Sequence, residues 1–317
     1  MTEKRPMVIL TGPTAVGKTA LSIELAKKIN GSIISADSMQ VYRHMDIGSA
    51  KVMPEEMDGV RHYLIDEFEP DEEFHVVKFV ERAKEHLEEI YAEGKIPIIA
   101  GGTGFYIQAL LYDIDFTEQE CDEAYRAELE LLAAEKGAHY LHNMLREVDP
   151  ASADAIHANN IKRVIRALEF YHLSGKQISE HNEKEREKTS PYHFAYFVLT
   201  DERPHLYANI DKRVDLMIEQ GLVDEVQKLK NMGFHRDMVS MQGLGYKEIL
   251  DYLDGKTTLE EAIYIIKRET RHFAKRQLTW FRRERDVIWL DKQAYDYQDA
   301  KILDSMINIL KEKTIIN

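Results

Sequence analysis

Short apolar runs alternate with amphipathic segments in the first third of the chain. Met7–Leu10 and Ser32–Ser35 have the composition of buried strands, and "KIPIIAGG" gives a third. Between them, apolar residues recur at helical spacing after Lys18, and Phe74–Glu93 carries one long apolar stripe. Strands that alternate with helices predict a parallel α/β sheet with helices on both faces.

The pattern changes after Tyr112. Only helical segments follow from Thr117 until strand character returns at "HFAYFVLT". We therefore predict an α/β core formed by 1–112 and 196–317, interrupted by an all-helical insertion at 113–195. Further helices are predicted at 204–219, 222–232, 243–253, 258–285 and 299–311, with a strand at 287–290. The highly charged stretch 181–190 predicts a mobile loop.

Charge is distributed unevenly along this chain of 317 residues. The net charge of −14 argues against a nonspecific nucleic-acid binder. Residues 267–285, "KRETRHFAKRQLTWFRRER", nevertheless hold eight Lys or Arg and two Glu, a local net of +6. A basic surface on an otherwise acidic protein suggests a specific polyanionic partner.

Two features bear on the cellular setting. Cys121 is the single cysteine, which excludes an internal disulfide and a cysteine-rich zinc site and fits a reducing cytoplasm. No run of eighteen apolar residues occurs, and the N-terminal apolar run is too short for a secretion signal. We therefore expect a cytoplasmic protein that does not enter a membrane.

"GPTAVGKT" matches the phosphate-binding pattern G-x-x-x-x-G-K-[ST], between a strand and a helix. Its glycines allow backbone N–H groups to point inward, and the helix N-terminus adds positive potential. Lys18 supplies a cation between phosphates, and the Thr19 hydroxyl can ligate Mg²⁺. The pattern leaves the ligand open: the phosphates of ATP, as in a kinase, or the pyrophosphate of another substrate.

Polar residues follow the other two strands. Asp37 lies just past the second strand, where it can act as a general base or cap the next turn. "GGTGFY" follows the third strand, and Thr103 in it can line the same crevice or cap a helix. This strand lacks the terminal Asp with which kinases commonly hold Mg²⁺, which counts against ordinary phosphoryl transfer.

The basic segment 267–285 is predicted to be helical, with aromatic residues among the cations. Such a mixture suits an RNA backbone with an accessible base, but a solvated helix face has the same pattern. Arg213 lies on another predicted helix, where its helical spacing from a neighbouring carboxylate predicts a surface ion pair. His62 and the other histidines show no metal spacing and are predicted to be structural.

Eight motifs occur in a specific order: "GPTAVGKT", "ADSMQVYRHMDIGSAK", "RHYLID", "GGTGFY", "VDPASADAIHANNIKRVIRALE", "MIEQGLVDEV", "QGLGYKE" and "TRHFAKRQLTWFRRE". This set resembles the bacterial tRNA dimethylallyltransferases, also called isopentenyl-tRNA transferases. The resemblance extends from position 12 to about 285 and includes no zinc-finger extension. It implies a P-loop NTPase-like parallel sheet core with an all-helical insertion.

The resemblance implies transfer of a dimethylallyl group from dimethylallyl diphosphate to N6 of the tRNA adenosine 3′ of the anticodon. Asp37 is then the general base, Arg213 and Lys18 bind diphosphate, Thr19 holds Mg²⁺, and Thr103 places the adenine. The diphosphate cradle consists of Gly12, Pro13, Thr14, Ala15, Val16, Gly17, Lys18 and Thr19.

The resemblance also implies a set of tRNA contacts, mostly polar or basic. They are Asp37, Ser38, Met39, Gln40, Thr103, Lys162, Arg163, Arg166, Gln242, Gly245, Lys275, Arg276, Gln277, Trp280 and Arg282. The insertion is expected to grip the anticodon stem-loop, and the protein to act as a monomer without an obligate protein partner. Two alternatives stay open: a small-molecule or nucleotide kinase, and a noncatalytic GTPase-like RNA-binding switch, although its N-K-x-D motif is missing.

Overall fold

The computed structural model describes residues 4–114 and 122–317, which form two compact units. The core unit comprises the chain up to Leu111 and from Pro191 onward, and the helical unit is Tyr112–Ser190. Cys121 and the beginning of the predicted helical run at Thr117 lie outside the described residues. No helix in the described part of the chain is long and apolar enough to cross a lipid bilayer.

The core unit is built on one six-stranded parallel sheet. Its strands are β1 (Pro6–Thr11), β2 (Gly31–Ala36), β3 (His62–Tyr63), β4 (Ile96–Gly101), β5 (His193–Thr200) and β6 (Val287–Asp291), in the order β3-β2-β4-β1-β5-β6. β1 lies between β4 and β5, and its residues Met7–Leu10 are fully buried. The predicted α/β fold class is confirmed. β3 was not predicted, because its two residues are too few to show a period.

Thirteen α-helices accompany the sheet in the described residues. They are α1 (Lys18–Ile29), α2 (Val76–Ala92), α3 (Gly104–Leu111), α4 (Glu123–Lys136), α5 (Ala138–Val148), α6 (Pro150–Ala155), α7 (Ile161–Ser174), α8 (Ile178–Glu187), α9 (Arg203–Glu219), α10 (Leu222–Asn231), α11 (Tyr246–Leu253), α12 (Leu259–Phe281) and α13 (Asp299–Glu312). The predicted mobile loop at 181–190 is wrong, because α8 continues to Glu187.

The helical unit has its own small core. α4, α5 and α7 bury Leu129, Leu141 and Val164 against one another. A fully buried carboxylate, Glu169, is ion-paired there with arginines of α4 and α7. The structural boundaries of this unit, 112 and 190, differ from the predicted 113 and 195, because β5 already begins at His193.

Parallel strands bring the ends of β1, β2, β4 and β5 to one edge of the sheet, where ligands of open α/β sheets bind. The P-loop follows β1 there, Asp37 follows β2, and Gly102 follows β4. The close approach of β1 and β5 requires glycine at position 12. A Cβ on Gly12 would lie 2.5 Å from the Leu199 carbonyl oxygen, and its φ is +150°.

Candidate functional site

The P-loop forms a compact turn in front of α1. Ala15 and Gly17 both have positive φ, 65° and 97°, so the chain reverses sharply before the helix begins at Lys18. The Lys18 ammonium donates hydrogen bonds to the carbonyl oxygens of Gly12 (3.0 Å) and Pro13 (2.8 Å). The loop therefore holds a cation at the N-terminus of a helix, an arrangement suited to phosphate.

The pKa of Lys18 lies close to neutral pH. Burial and the positive charge of Arg213 lower the pKa of Lys18 to about 7, while the nearby Asp37 acts in the opposite direction. An anion bound in the loop would favour the protonated ammonium. Protonation of Lys18 is therefore coupled to anion binding close to neutral pH.

Asp37 is held by the turn that follows β2. Its Oδ1 accepts the backbone N–H of Met39 at 2.8 Å, which fixes the orientation of the carboxylate. Burial raises the pKa of Asp37, and its backbone hydrogen bonds and the cations Lys18 and Arg213 oppose that rise. A raised pKa makes a carboxylate a stronger proton acceptor, which suits a general base.

Two pockets meet at Asp37. The P-loop pocket is lined by the loop, the first turn of α1 and the ends of β2 and β4. The neighbouring pocket is the larger of the two and lies towards α9 and α12. Both are lined by Thr14, Asp37, Ser49, Ala50, Arg213 and Phe273. The Asp37 carboxylate and the Arg213 guanidinium therefore lie at the junction of the two pockets, where a ligand in one pocket would contact a ligand in the other.

The neighbouring pocket is mainly apolar with a few polar groups. Its apolar wall consists of Met39, Ile210, Val214, Met217, Leu244, Ile266 and Phe273. The hydroxyl-bearing residues Ser38 and Thr103 also line it, as does Gly245. Such a mixture suits a flat, partly polar ring system that must be oriented by a few hydrogen bonds.

Arg213 on α9 is not the surface ion pair that its spacing suggested. The neighbouring carboxylates Asp211 and Asp215 are paired with Arg271 and Lys267 of α12. In the described part of the chain, no carboxylate lies within ion-pair distance of Arg213. Burial lowers the pKa of Arg213, and the charge of Asp37 partly offsets this. The guanidinium is thus left available for an anion in the pockets.

Gln277, one of the predicted tRNA contacts, makes hydrogen bonds within the protein. Its Oε1 accepts the backbone N–H of Thr14 at 2.8 Å, and its Nε2 donates to the Gly102 carbonyl at 3.0 Å. Only 6% of the residue is exposed. Gln277 therefore clamps the P-loop to the end of β4, and its predicted tRNA contact stays a prediction.

Three other predicted RNA contacts are also engaged within the protein. Gln40 donates through Nε2 to the Ala50 carbonyl at 3.0 Å. Trp280 packs so closely on Gly104 that a Cβ there would lie 2.2 Å from the indole. Within the helical unit, Arg166 is ion-paired with the buried Glu169 at 2.9 Å. These contacts show what holds the three side chains in the protein, and their tRNA contacts stay predictions.

The remaining predicted RNA contacts are exposed or line a pocket. Lys275, Arg276 and Arg282 are exposed on or just after α12, and Arg276 also borders the neighbouring pocket. Gln242 is exposed in the segment before α11, and Lys162 and Arg163 are on the surface of α7. The core and helical units each present cations to solvent, which suits a polyanion.

Sequence reasoning missed part of the pocket wall. His62, treated as structural, lines the P-loop pocket together with Val52 and Ile65. Burial lowers the pKa of His62, whose Nδ1 lies 2.9 Å from the Val60 carbonyl. The only available signal was the motif "RHYLID", since a two-residue strand and irregular loops bring these side chains to the site.

The P-loop pocket offers oxygen ligands but no complete metal site. No group of three or more His, Cys, Asp or Glu in residues 4–114 and 122–317 is arranged to hold a metal ion. The Thr19 side chain, in the first turn of α1, lines the pocket. A single hydroxyl fits Mg²⁺, which usually combines few protein oxygens with phosphate oxygens and water.

Comparison with known proteins gives consistent matches over nearly the whole chain. The family model described as "IPP transferase" matches residues 40–284. A tRNA dimethylallyltransferase of Lachnoclostridium phytofermentans is 65% identical to this chain, and the match covers 98% of this chain and 99% of that protein. The tRNA isopentenylpyrophosphate transferase of Bacillus halodurans is 47% identical in structure comparison, with a TM-score of 0.73 and 98% coverage of both chains.

A eukaryotic relative extends the comparison. The crystal structure of a eukaryotic dimethylallyltransferase acting on tRNA matches with a TM-score of 0.78 at 31% identity. The match covers 90% of this chain and 74% of that protein. The fold is therefore shared with proteins of both bacteria and eukaryotes.

Proposed function

The chain belongs to the IPP transferase family and is a prenyltransferase, and we propose that it transfers a dimethylallyl group from dimethylallyl diphosphate to N6 of the adenosine 3′ of the anticodon in tRNA. The observation that carries this proposal is the position of Asp37, at the junction of an anion-binding pocket and a larger, mainly apolar one. A donor diphosphate in the first and an adenine in the second would bring the reacting atoms together.

The bond changes follow from this placement. The bond between the allylic carbon and the diphosphate oxygen breaks as the bond from adenine N6 to that carbon forms. The N6 proton passes to the Asp37 carboxylate, and diphosphate is the leaving group. Because the N6 lone pair is delocalised into the ring, removal of its proton raises its nucleophilicity, a contribution of about 10²–10⁴-fold in general-base catalysis.

Negative charge develops on the departing diphosphate. The backbone N–H groups of Ala15–Thr19 and the Lys18 ammonium would bind it, with Arg213 supplying a planar fork for its oxygens. When present, Mg²⁺ would be held by the Thr19 hydroxyl and would neutralise part of the same charge. The P-loop groups stand at the carboxyl edge of the sheet, and α9 brings Arg213 to the same pocket.

The adenosine would occupy the neighbouring pocket. Ser38 and Thr103 offer hydroxyls to orient the base against the apolar wall. Flipping the base out of its stack costs a few kcal/mol, less in an anticodon loop whose bases are partly unpaired. Because one chain supplies the walls of both pockets, we propose that the protein acts as a monomer, in the cytoplasm where its tRNA substrate is found.

A direct assay tests the reaction. Purified protein, total tRNA and labelled dimethylallyl diphosphate should yield labelled isopentenyladenosine after nucleoside digestion. Unlabelled ATP should neither replace the donor nor be consumed. Consumption of ATP with phosphorylation of an acceptor would instead support the kinase alternative and refute the transferase.

The basic end of α12 should bind phosphates of the tRNA backbone. Changing Arg276 and Arg282 to Glu is expected to weaken tRNA binding and to reduce the slope of log Kd against log salt concentration by about 0.7–0.9 for each phosphate that is no longer neutralised. The control changes the exposed Lys311 and Lys313 near the end of α13 to Glu, which alters the net charge equally. Equal effects in both variants would show that only overall charge matters.

Diphosphate binding should depend on pH through Lys18. Below its pKa of about 7 the ammonium is already protonated, whereas above it binding requires proton uptake. The Kd for inorganic diphosphate should therefore rise by up to about tenfold per pH unit above 7, until the pKa of the bound state is reached. Calorimetry from pH 6 to 9 measures this Kd. The Lys18→Met variant is the control, because its Kd changes with pH only through the titration of diphosphate itself. If the slope of log Kd against pH is the same in both proteins, Lys18 is not the group responsible.

A further inference from the structure

A carboxylate outside both pockets holds a loop that lines them. Glu225, in the first turn of α10, accepts three successive backbone N–H groups, those of Asp46 (3.0 Å), Ile47 (2.7 Å) and Gly48 (3.1 Å). The Tyr246 hydroxyl donates to the same carboxylate at 2.8 Å. Successive N–H groups that converge in this way form an anion-binding nest, here filled by the protein's own side chain.

The loop is closely packed and has unfavourable backbone angles. Gly48 packs against the Tyr246 ring, where a Cβ would approach Cζ to 2.5 Å. His44 and Ala50 have positive φ, 65° and 48°, which is costly for residues with a side chain. Burial and the Glu225 carboxylate raise the pKa of Tyr246, which keeps its hydroxyl protonated as a donor. Hydrogen bonds within the loop, such as that from Ser49 Oγ to the Met45 carbonyl at 2.6 Å, also hold it, but Glu225 is the acceptor for three successive backbone N–H groups.

The held loop reaches the proposed base. Gly48 lines the neighbouring pocket, and Ser49 and Ala50 line both pockets. The Ser49 and Ala50 carbonyls accept from Gln40 Nε2 at 3.5 and 3.0 Å. The backbone N–H of Gln40 in turn interacts with Asp37. Hydrogen bonds at both ends of segment 46–50, together with its backbone, therefore connect α10 with the turn that orients the Asp37 carboxylate.

We infer that Glu225 is a positioning residue for the transfer reaction, which fixes loop 46–50 and, through Gln40, the Asp37 carboxylate. This inference rests on the proposed function, because it assigns Asp37 the role of base. Glu225 does not line either pocket and would act only through this loop. Diphosphate binding at the P-loop should be independent of it, since the loop that it holds contributes no cation there.

The test is Glu225→Gln, which keeps the shape but replaces one acceptor oxygen with a donor that opposes the backbone N–H groups. We expect kcat for tRNA prenylation to fall about 10–100-fold, the scale of a small misplacement of a catalytic group. The Kd for inorganic diphosphate should stay within about twofold. Asp224→Asn, on the exposed neighbour in the same helical turn, is the matched control and should retain the wild-type kcat.

A double-mutant cycle with Gln40→Ala tests the route. Because both residues act on Asp37 in series, the double variant should be about as slow as the slower single variant, whereas independent residues would give multiplied effects. Multiplied effects would overturn the route through Gln40. If Glu225→Gln lowers the thermal unfolding midpoint but leaves kcat unchanged, the residue is merely structural and the inference fails.

Two further measurements cover other outcomes. If Glu225→Gln does not fold, Tyr246→Phe removes one donor and keeps the ring; an unchanged kcat would then overturn the inference, and a severalfold fall would support it. If the wild-type protein transfers no dimethylallyl group, the proposed function itself fails. Hydrogen exchange then tests the positioning alone: in Glu225→Gln, faster exchange at both 46–48 and 38–40 supports it, and faster exchange at 46–48 alone contradicts it.

Discussion

Replacing Asp37 with Asn should lower kcat for tRNA prenylation by about 10²–10⁴-fold, the usual contribution of a general base. The amide keeps the size of the carboxylate and can still accept the Met39 N–H, so the turn after β2 should persist. What it loses is the ability to take the N6 proton. Single-turnover assays with saturating tRNA and dimethylallyl diphosphate would measure the effect.

Binding measurements separate this loss from a loss of substrate affinity. Asp37→Asn should bind the anticodon stem-loop within about twofold of wild type, since a transition-state role leaves ground-state binding nearly unchanged. Asp71→Asn, an exposed carboxylate later in the chain, is the control and should be fully active. Turnover within about tenfold of wild type in Asp37→Asn would remove Asp37 as the base.

The same residue should set the acid limb of the pH profile. A base works only when ionised, so kcat/KM should fall as the pH drops through the pKa of Asp37 in the free enzyme. Burial raises that pKa above its ordinary value of 3.8, so the limb should lie above the normal range of an exposed Asp. Residual activity of Asp37→Asn should lack this limb.

Replacing Lys18 with Met should lower kcat/KM for dimethylallyl diphosphate by about 10²–10³-fold, the scale found for removal of one donor that stabilises developing charge. The ammonium stands at the P-loop beside the N-terminus of α1, where the leaving diphosphate gathers charge. Methionine keeps much of the chain's apolar volume, so the loop should keep its packing. Steady-state kinetics with varied donor at saturating tRNA would measure the loss.

The control for this variant lies on the same helix. Lys28→Met removes an exposed ammonium near the C-terminal end of α1 and should leave kcat/KM within about twofold. Comparable losses in both variants would show that the effect comes from the helix or from net charge. A loss in Lys18→Met confined to KM for tRNA would also contradict the assignment to diphosphate.

Local patterns in the sequence predicted most of the secondary structure. Amphipathic spacing placed α2 at 74–93, against the observed Val76–Ala92, and the apolar run before the P-loop became β1. The charged stretch at 181–190 was wrongly predicted to be a loop because it has no apolar stripe. Its Glu and Lys residues favour a helix, and α8 continues to Glu187. β3 was missed because a two-residue strand is defined only by its pairing with β2.

The site was predicted less completely than the fold. The P-loop and Asp37 were found because each directly follows a strand, so the sheet brings them to one edge. The contacts of the Gln277 amide and the Trp280 indole within the protein were not predicted, because a polar or aromatic residue in a basic helix has the same pattern whether it faces RNA or the protein. Their partners, Thr14 and Gly104, lie far away along the chain.

The sequence by itself determined the P-loop, the alternation of strands and helices, and the clustering of basic charge, since each depends on residues close together along the chain. Only the tertiary structure decided that Gln277 clamps a loop 263 positions away and that Glu225 holds amides 177–179 positions away. Backbone geometry and periodicity act over a few residues. The partner of a buried polar group, in contrast, is chosen by the packing of distant segments, which leaves no local pattern to read.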